Sequence, residues 1–124
     1  LSSHAMRLAC SSRSFPQDRL DLAITKAVWA GYSAVELDLS GEKLPDEEKL
    51  GQKLRASEIA LAAVYAGALT ARAGTPVEEL AEVGRVAALS RRLDGALVVV
   101  EAGEGDLAGL AHNLGQLDRA MGET

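Results

Sequence analysis

One cysteine, Cys10, is all that the 124 residues contain, so no internal disulfide can form; this suits a reducing cytoplasm, the expected location. No block of lysine or arginine occurs, and the net charge is −5. A nucleic-acid footprint needs cations clustered on one face, so the composition argues against that partner. No apolar run approaches the roughly 20 residues of a membrane-spanning helix. Histidine is almost as scarce as cysteine. His4 lies in "LSSHA", residues 1–5 ahead of Met6, a stretch that reads as a vector scar or tag remnant. His112 then stands alone, too little for a histidine metal centre or a Ser/His/Asp set.

What remains is a balanced composition, 48% hydrophobic and 25% charged, expected to form one globular domain over residues 6–124. Short apolar runs alternate with amphipathic stretches. "RLACS" (7–11) reads as a first strand, and "SFPQDRLDLAITKAVWAG" after it as a helix. There Ser14 and Pro16 suit the cap and first turn, Leu20, Ile24, Ala27 and Val28 give the apolar stripe, and Gly31 is the stop. "SAVELDL" (33–39) is a second strand, and Asp46 can cap a second helix whose apolar positions are Leu50 and Leu54, with Leu44 ahead of the cap. "IALAAVYAG" (59–67) is a third strand buried on both faces, although a helix could carry the same alanine-rich run. Thr75, Pro76 and Glu78 form a capping signature for a third helix, striped by Leu80, Val83, Ala87 and Leu93. "GALVVVEAG" (95–103) is a fourth strand. "GDLAGLAHNLGQLDRAMG" is a fourth helix with Leu107, Leu110, Leu114, Leu117 and Met121 on one side.

These spacings predict strands near 7–11, 34–39, 60–66 and 96–101, and helices near 16–30, 46–56, 76–93 and 106–120. Four consecutive βα units imply an α/β fold with a parallel sheet in the order 1-2-3-4 and right-handed crossovers. In such sheets ligands bind beyond the carboxyl ends of the strands. That rim would hold Ser11, Ser12 and Arg13, the acids Glu36, Asp38 and Glu42, then Tyr65, and then Glu101. Glu36 and Glu101 are the candidate acid–base residues if they face one cavity. A lone glutamate at a strand end can equally be a structural hydrogen-bond acceptor. Ser12, Arg13 and Tyr65 are the substrate-binding candidates, with Arg13 suited to an anionic group.

Other features read as structural. "GEGDLA" (103–108) matches a dinucleotide-binding pattern, but Glu104 and Asp106 would repel a pyrophosphate, and a tight turn capped by Asp106 fits better, so no cofactor-binding residue is assigned. Cys10 reads as a buried inert thiol, and Trp29 as a core or interface residue.

"LACSSRSFP", "AGYSAVEL", "IALAAVYAG" and "ALVVVEAG", each followed by a helix, together resemble the first half of the xylose isomerase-like sugar phosphate isomerase/epimerase family. The most specific block is G-Y-x-x-V-E-L at Gly31–Leu37. The resemblance implies a half-barrel of TIM type and proton transfer alpha to a carbonyl of a sugar or sugar phosphate. It matches Glu36 to the acid closing the second strand. It also implies a divalent metal, whose ligands lie largely on later strands and cannot be matched in this chain. Three readings follow: a homodimer that completes an eight-stranded barrel through its strand edges, a non-catalytic small-molecule-binding or assembly module, or the N-terminal part of a longer enzyme.

Overall fold

The computed structural model describes residues 8–41, 45–71, 77–95, 97–105 and 107–122. Four strands alternate with four helices: β1 (Ala9–Ser11), α1 (Leu20–Trp29), β2 (Ala34–Asp38), α2 (Glu47–Ala56), β3 (Ala60–Ala71), α3 (Val77–Arg92), β4 (Leu97–Gly105) and α4 (Leu107–Gly122). A 3-10 turn over Ser12–Ser14 follows β1. The strands form one sheet in the order β1-β2-β3-β4, and every neighbouring pair is parallel. This is the α/β arrangement and strand order that the spacing predicts for half a barrel. Glu42, Leu44, Thr75, Pro76, Asp106 and the 1–5 segment lie outside the described residues, as do the side chains of Glu78, Leu117 and Met121.

The two faces of the sheet have different chemistry. Val35, Leu37, Leu61, Val64 and Ala66 meet Ile24 and Ala27 of α1, Leu50 and Leu54 of α2, and Val83, Val86 and Leu89 of α3 in one buried cluster. The register carries the alternate residues to the opposite face: Ser11 beside Glu36, Glu36 beside Ala63, Asp38 beside Tyr65, Tyr65 beside Val99, and Ala68 beside Glu101. The polar rim candidates therefore share the face opposite this cluster, because successive side chains on a strand point opposite ways.

β3 keeps this phase only by bulging. Between Val35 and Glu36 of β2 it advances from Leu61 to Ala63, and between Val99 and Glu101 of β4 it advances from Tyr65 to Ala68. Gly67 sits in the second irregularity at φ +96°, a conformation glycine adopts without the Cβ penalty.

Several local expectations need correction. Helix α1 begins at Leu20, not at 16, and Ser14 does not cap it. The Ser11 hydroxyl accepts from the Arg13 amide and the Phe15 amide donates to the Ser12 carbonyl, so Ser12–Ser14 wind into their own 3-10 turn. Arg19 then occupies the cap position with no side-chain hydrogen bond. Asp46 does cap α2, accepting from the Lys49 amide at 3.2 Å. β3 runs to Ala71 and β4 to Gly105, so Gly103–Gly105 are strand and not a tight turn. Trp29 is 78% exposed, which removes it from the core. Cys10 is half-buried, packed against the edge of the cluster.

Candidate binding site at the carboxyl rim

β1 delivers its chain end straight into the site. The 3-10 turn swings Arg13 across the face opposite the buried cluster, where its guanidinium lies 4.1 Å from the centroid of the Tyr65 ring. Its Nη2 donates to Glu101 Oε1 at 3.2 Å. The first and last strands of the sheet are thus linked by a side-chain contact over the third. That contact ties the two outer strands together over one face of the sheet. Tyr65 is only 8% exposed although it stands on the open side, because Arg13 covers it.

Tyr65 also bonds to Glu101. Its hydroxyl is pushed above the ordinary tyrosine value, first by burial, then by the hydrogen bond to Glu101 and the negative charge of that carboxylate. The Asp38 charge adds to the rise and the Arg13 charge opposes it. The neutral phenol is therefore the stable form, and it is a donor. Arg13 and Glu101 remain half-open to solvent, with side chains 45% and 53% exposed.

Glu36 belongs to a lower layer. It is two residues below Asp38, which is level with Tyr65 and Val99, and Glu101 is two residues above Val99. Strand geometry puts the Glu36 and Glu101 backbones on the order of 15 Å apart, from two interstrand steps and about four residues of rise. The two carboxylates thus occupy the same face but different depths, and they do not form a tight pair. Ser11 Oγ donates to Glu36 Oε1 at 3.3 Å.

Ser12 is buried, and its hydroxyl accepts from the Asp38 amide at 2.9 Å, tying the end of β1 to the end of β2. Asp38 Oδ1 accepts from the Ser40 amide at 2.9 Å and from the Ser40 hydroxyl. A cavity of about 500 Å³ opens beside this corner, lined by Ser12, Arg13, Phe15, Asp38 and Ser40 among others. Ser11, placed on the rim from sequence but not among the binding candidates, is the hydroxyl that reaches Glu36. It and Ser12 are adjacent hydroxyls, and only the register decides which one faces Glu36.

The acids do not assemble a cation site. Among the described residues no three His, Cys, Asp or Glu side chains gather as metal ligands. Glu36, Asp38 and Glu101 accept instead from Ser11, Ser40 and Arg13. The donor set for a divalent ion is therefore not present in the described part of this chain.

No family model matches the chain, and no curated protein matches it. Among the described residues no helix is long and apolar enough to cross a membrane. What the fold and the site define is an α/β protein with a parallel four-stranded sheet and a polar carboxyl rim.

Proposed function

We propose that the rim binds a small hydroxylated carbonyl compound of the sugar or sugar-phosphate class and moves a proton alpha to its carbonyl, as the xylose isomerase-like resemblance implies. The observation that carries this reading is the convergence of Arg13, Tyr65 and Glu101 on one face, with Glu36 one layer below Tyr65 and two below Glu101. Each side chain has a role its surroundings permit. Glu36 has one serine hydroxyl as partner and keeps an oxygen for a substrate proton, so it is the base. Glu101 already holds Arg13 and Tyr65 and therefore positions them. Arg13 takes the anionic or most electron-rich end of the ligand, and the Tyr65 hydroxyl, whose one proton is directed to Glu101, accepts from a ligand hydroxyl. The depth difference between Glu36 and Arg13 suits an elongated ligand. Assembly is as a homodimer through strand edges.

Solvent-deuterium incorporation into a panel of aldoses, ketoses and their phosphates, followed by NMR, tests the reaction. Exchange by the wild type that Glu36→Gln abolishes, with the circular dichroism unchanged, is the expected result. Exchange that persists in Glu36→Gln, or no exchange by the wild type with any member, defeats the catalytic reading. One observation favours a non-catalytic binding module as the second reading: among the described residues Glu101 is already held by Arg13, so no second rim glutamate stands ready to return the proton that Glu36 would take. Calorimetric binding of the same panel without exchange would select it.

A further inference from the structure

Among the described residues the Glu36 carboxylate has one hydrogen-bond partner, the Ser11 hydroxyl at 3.3 Å. The pairing of β1 with β2 sets Ser11 beside Glu36 on the same face of the sheet. The hydroxyl is itself fixed from the other side. Its oxygen accepts from the Arg13 amide at 3.2 Å, where the 3-10 turn begins. A serine hydroxyl has one proton and two lone pairs. With a lone pair committed to the amide, the proton is turned toward Glu36 Oε1. The next hydroxyl along the chain does something else. Ser12 accepts from the Asp38 amide and ties strand end to strand end, whereas Ser11 reaches a side chain.

Arg13 belongs to both halves of the site. Its amide steadies Ser11, while its guanidinium lies over Tyr65 and donates to Glu101. A run of contacts therefore leads from Glu36 through Ser11 and Arg13 to Glu101. We infer that Ser11 is a positioning residue: it holds the Glu36 carboxylate and couples it to the turn that carries Arg13. Its consequence for turnover rests on the proton transfer proposed above, and the coupling rests on these contacts alone. By engaging Oε1, Ser11 leaves Oε2 of Glu36 to face the ligand. Both of its contacts are long for their type, and such bonds tighten when a ligand fixes the groups they join. A ligand anion that fixes Arg13 thus also steadies Glu36, so the effect falls on turnover more than on binding.

Ser11→Ala and Ser11→Thr, each alone and combined with Glu36→Gln, separate this role from a structural one. In the deuterium-exchange assay Ser11→Ala is expected to lower kcat roughly 10- to 100-fold and to change KM less than about twofold. Ser11→Thr keeps the hydroxyl and recovers most of the rate. A second readout needs no turnover. In NMR spectra of isotopically labelled protein, Glu36→Gln is expected to move the Arg13 amide resonance, and the same change in the Ser11→Ala background is expected to leave it in place. A serine that only supports the fold would lower the urea midpoint without that dependence. Wild-type kcat in Ser11→Ala overturns the positioning role. An Arg13 amide that ignores Glu36, or responds to it equally without the Ser11 hydroxyl, overturns the coupling. If the wild type exchanges no proton on any member of the panel, the proposed reaction falls, and the amide shifts alone decide whether Ser11 joins Glu36 to Arg13.

Discussion

Arg13 and Glu101, 88 residues apart in sequence, meet at 3.2 Å and join the two outermost strands of the sheet across the face of Tyr65. With both side chains about half exposed, the pair contributes little to stability, below about 1 kcal/mol for an exposed ion pair. Arg13→Ala and Glu101→Gln are each expected to leave the denaturation midpoint nearly unchanged while weakening ligand binding at the rim. Urea melts and calorimetry on the same preparations separate the two effects.

Tyr65 sets an alkaline limit. Its folded value lies above the ordinary 10.0, so the folded chain holds this proton more tightly than the unfolded chain does. The contribution is complete below pH 10 and is lost as the pH climbs through the raised folded value. Stability measured by urea melts should therefore fall over that range. Tyr65→Phe should flatten the fall, and an unaltered slope in that variant would count against the assignment.

Two leucines in the same sheet should respond oppositely to truncation. Leu37 is 0% exposed between the helices, and Leu97 is 64% exposed on the open strand. Leu37→Ala is expected to cost about 2–5 kcal/mol. Leu97→Ala should cost far less in folding and show its effect in the sedimentation profile.

The capping of α2 gives a local control. Asp46→Ala removes the acceptor for the Lys49 amide and should cost about 1 kcal/mol, with Asp46→Asn recovering most of it. A midpoint shift equal to that of Leu37→Ala would mean that Asp46 does more than cap the helix.

Gly67→Ala tests the bulge. The new Cβ would lie 3.2 Å from Cβ of Ser40 on a backbone at φ +96°, so strain arises from both conformation and contact. A loss of about 1–3 kcal/mol is expected from thermal or urea melts.

The sheet order was legible because apolar runs and amphipathic stretches alternate at βα lengths, and because parallel strands need such crossovers. Local capping chemistry was harder to read. Ser14 and Pro16 look like a helix start, but the Ser12 carbonyl captures the Phe15 amide first and delays α1 to Leu20. Glycine misled at the strand ends. Gly67 and Gly103 read as stops, yet the first is absorbed in a bulge and the second lies within β4. At the rim, Arg13, Tyr65 and Glu101 could be placed at the carboxyl ends from sequence. Their mutual contact could not, since it depends on how the 3-10 turn after β1 carries Arg13 over the sheet. The depth gap between Glu36 and Glu101 depends on bulge positions that no alternation pattern reveals.

The irregularities of β3 have a mechanical side. Over the height that β2 crosses from Val35 to Glu36, and β4 from Val99 to Glu101, β3 uses one extra residue each time. A longer ribbon fastened between shorter ones must bow, and bulged strands bend and twist more than regular ones. Further on the difference reverses, since β4 advances from Ala102 to Gly105 while β3 advances from Leu69 to Ala71. The two surplus stretches of β3 flank Tyr65, so the ring that Arg13 covers stands on a strand that cannot lie straight between its neighbours.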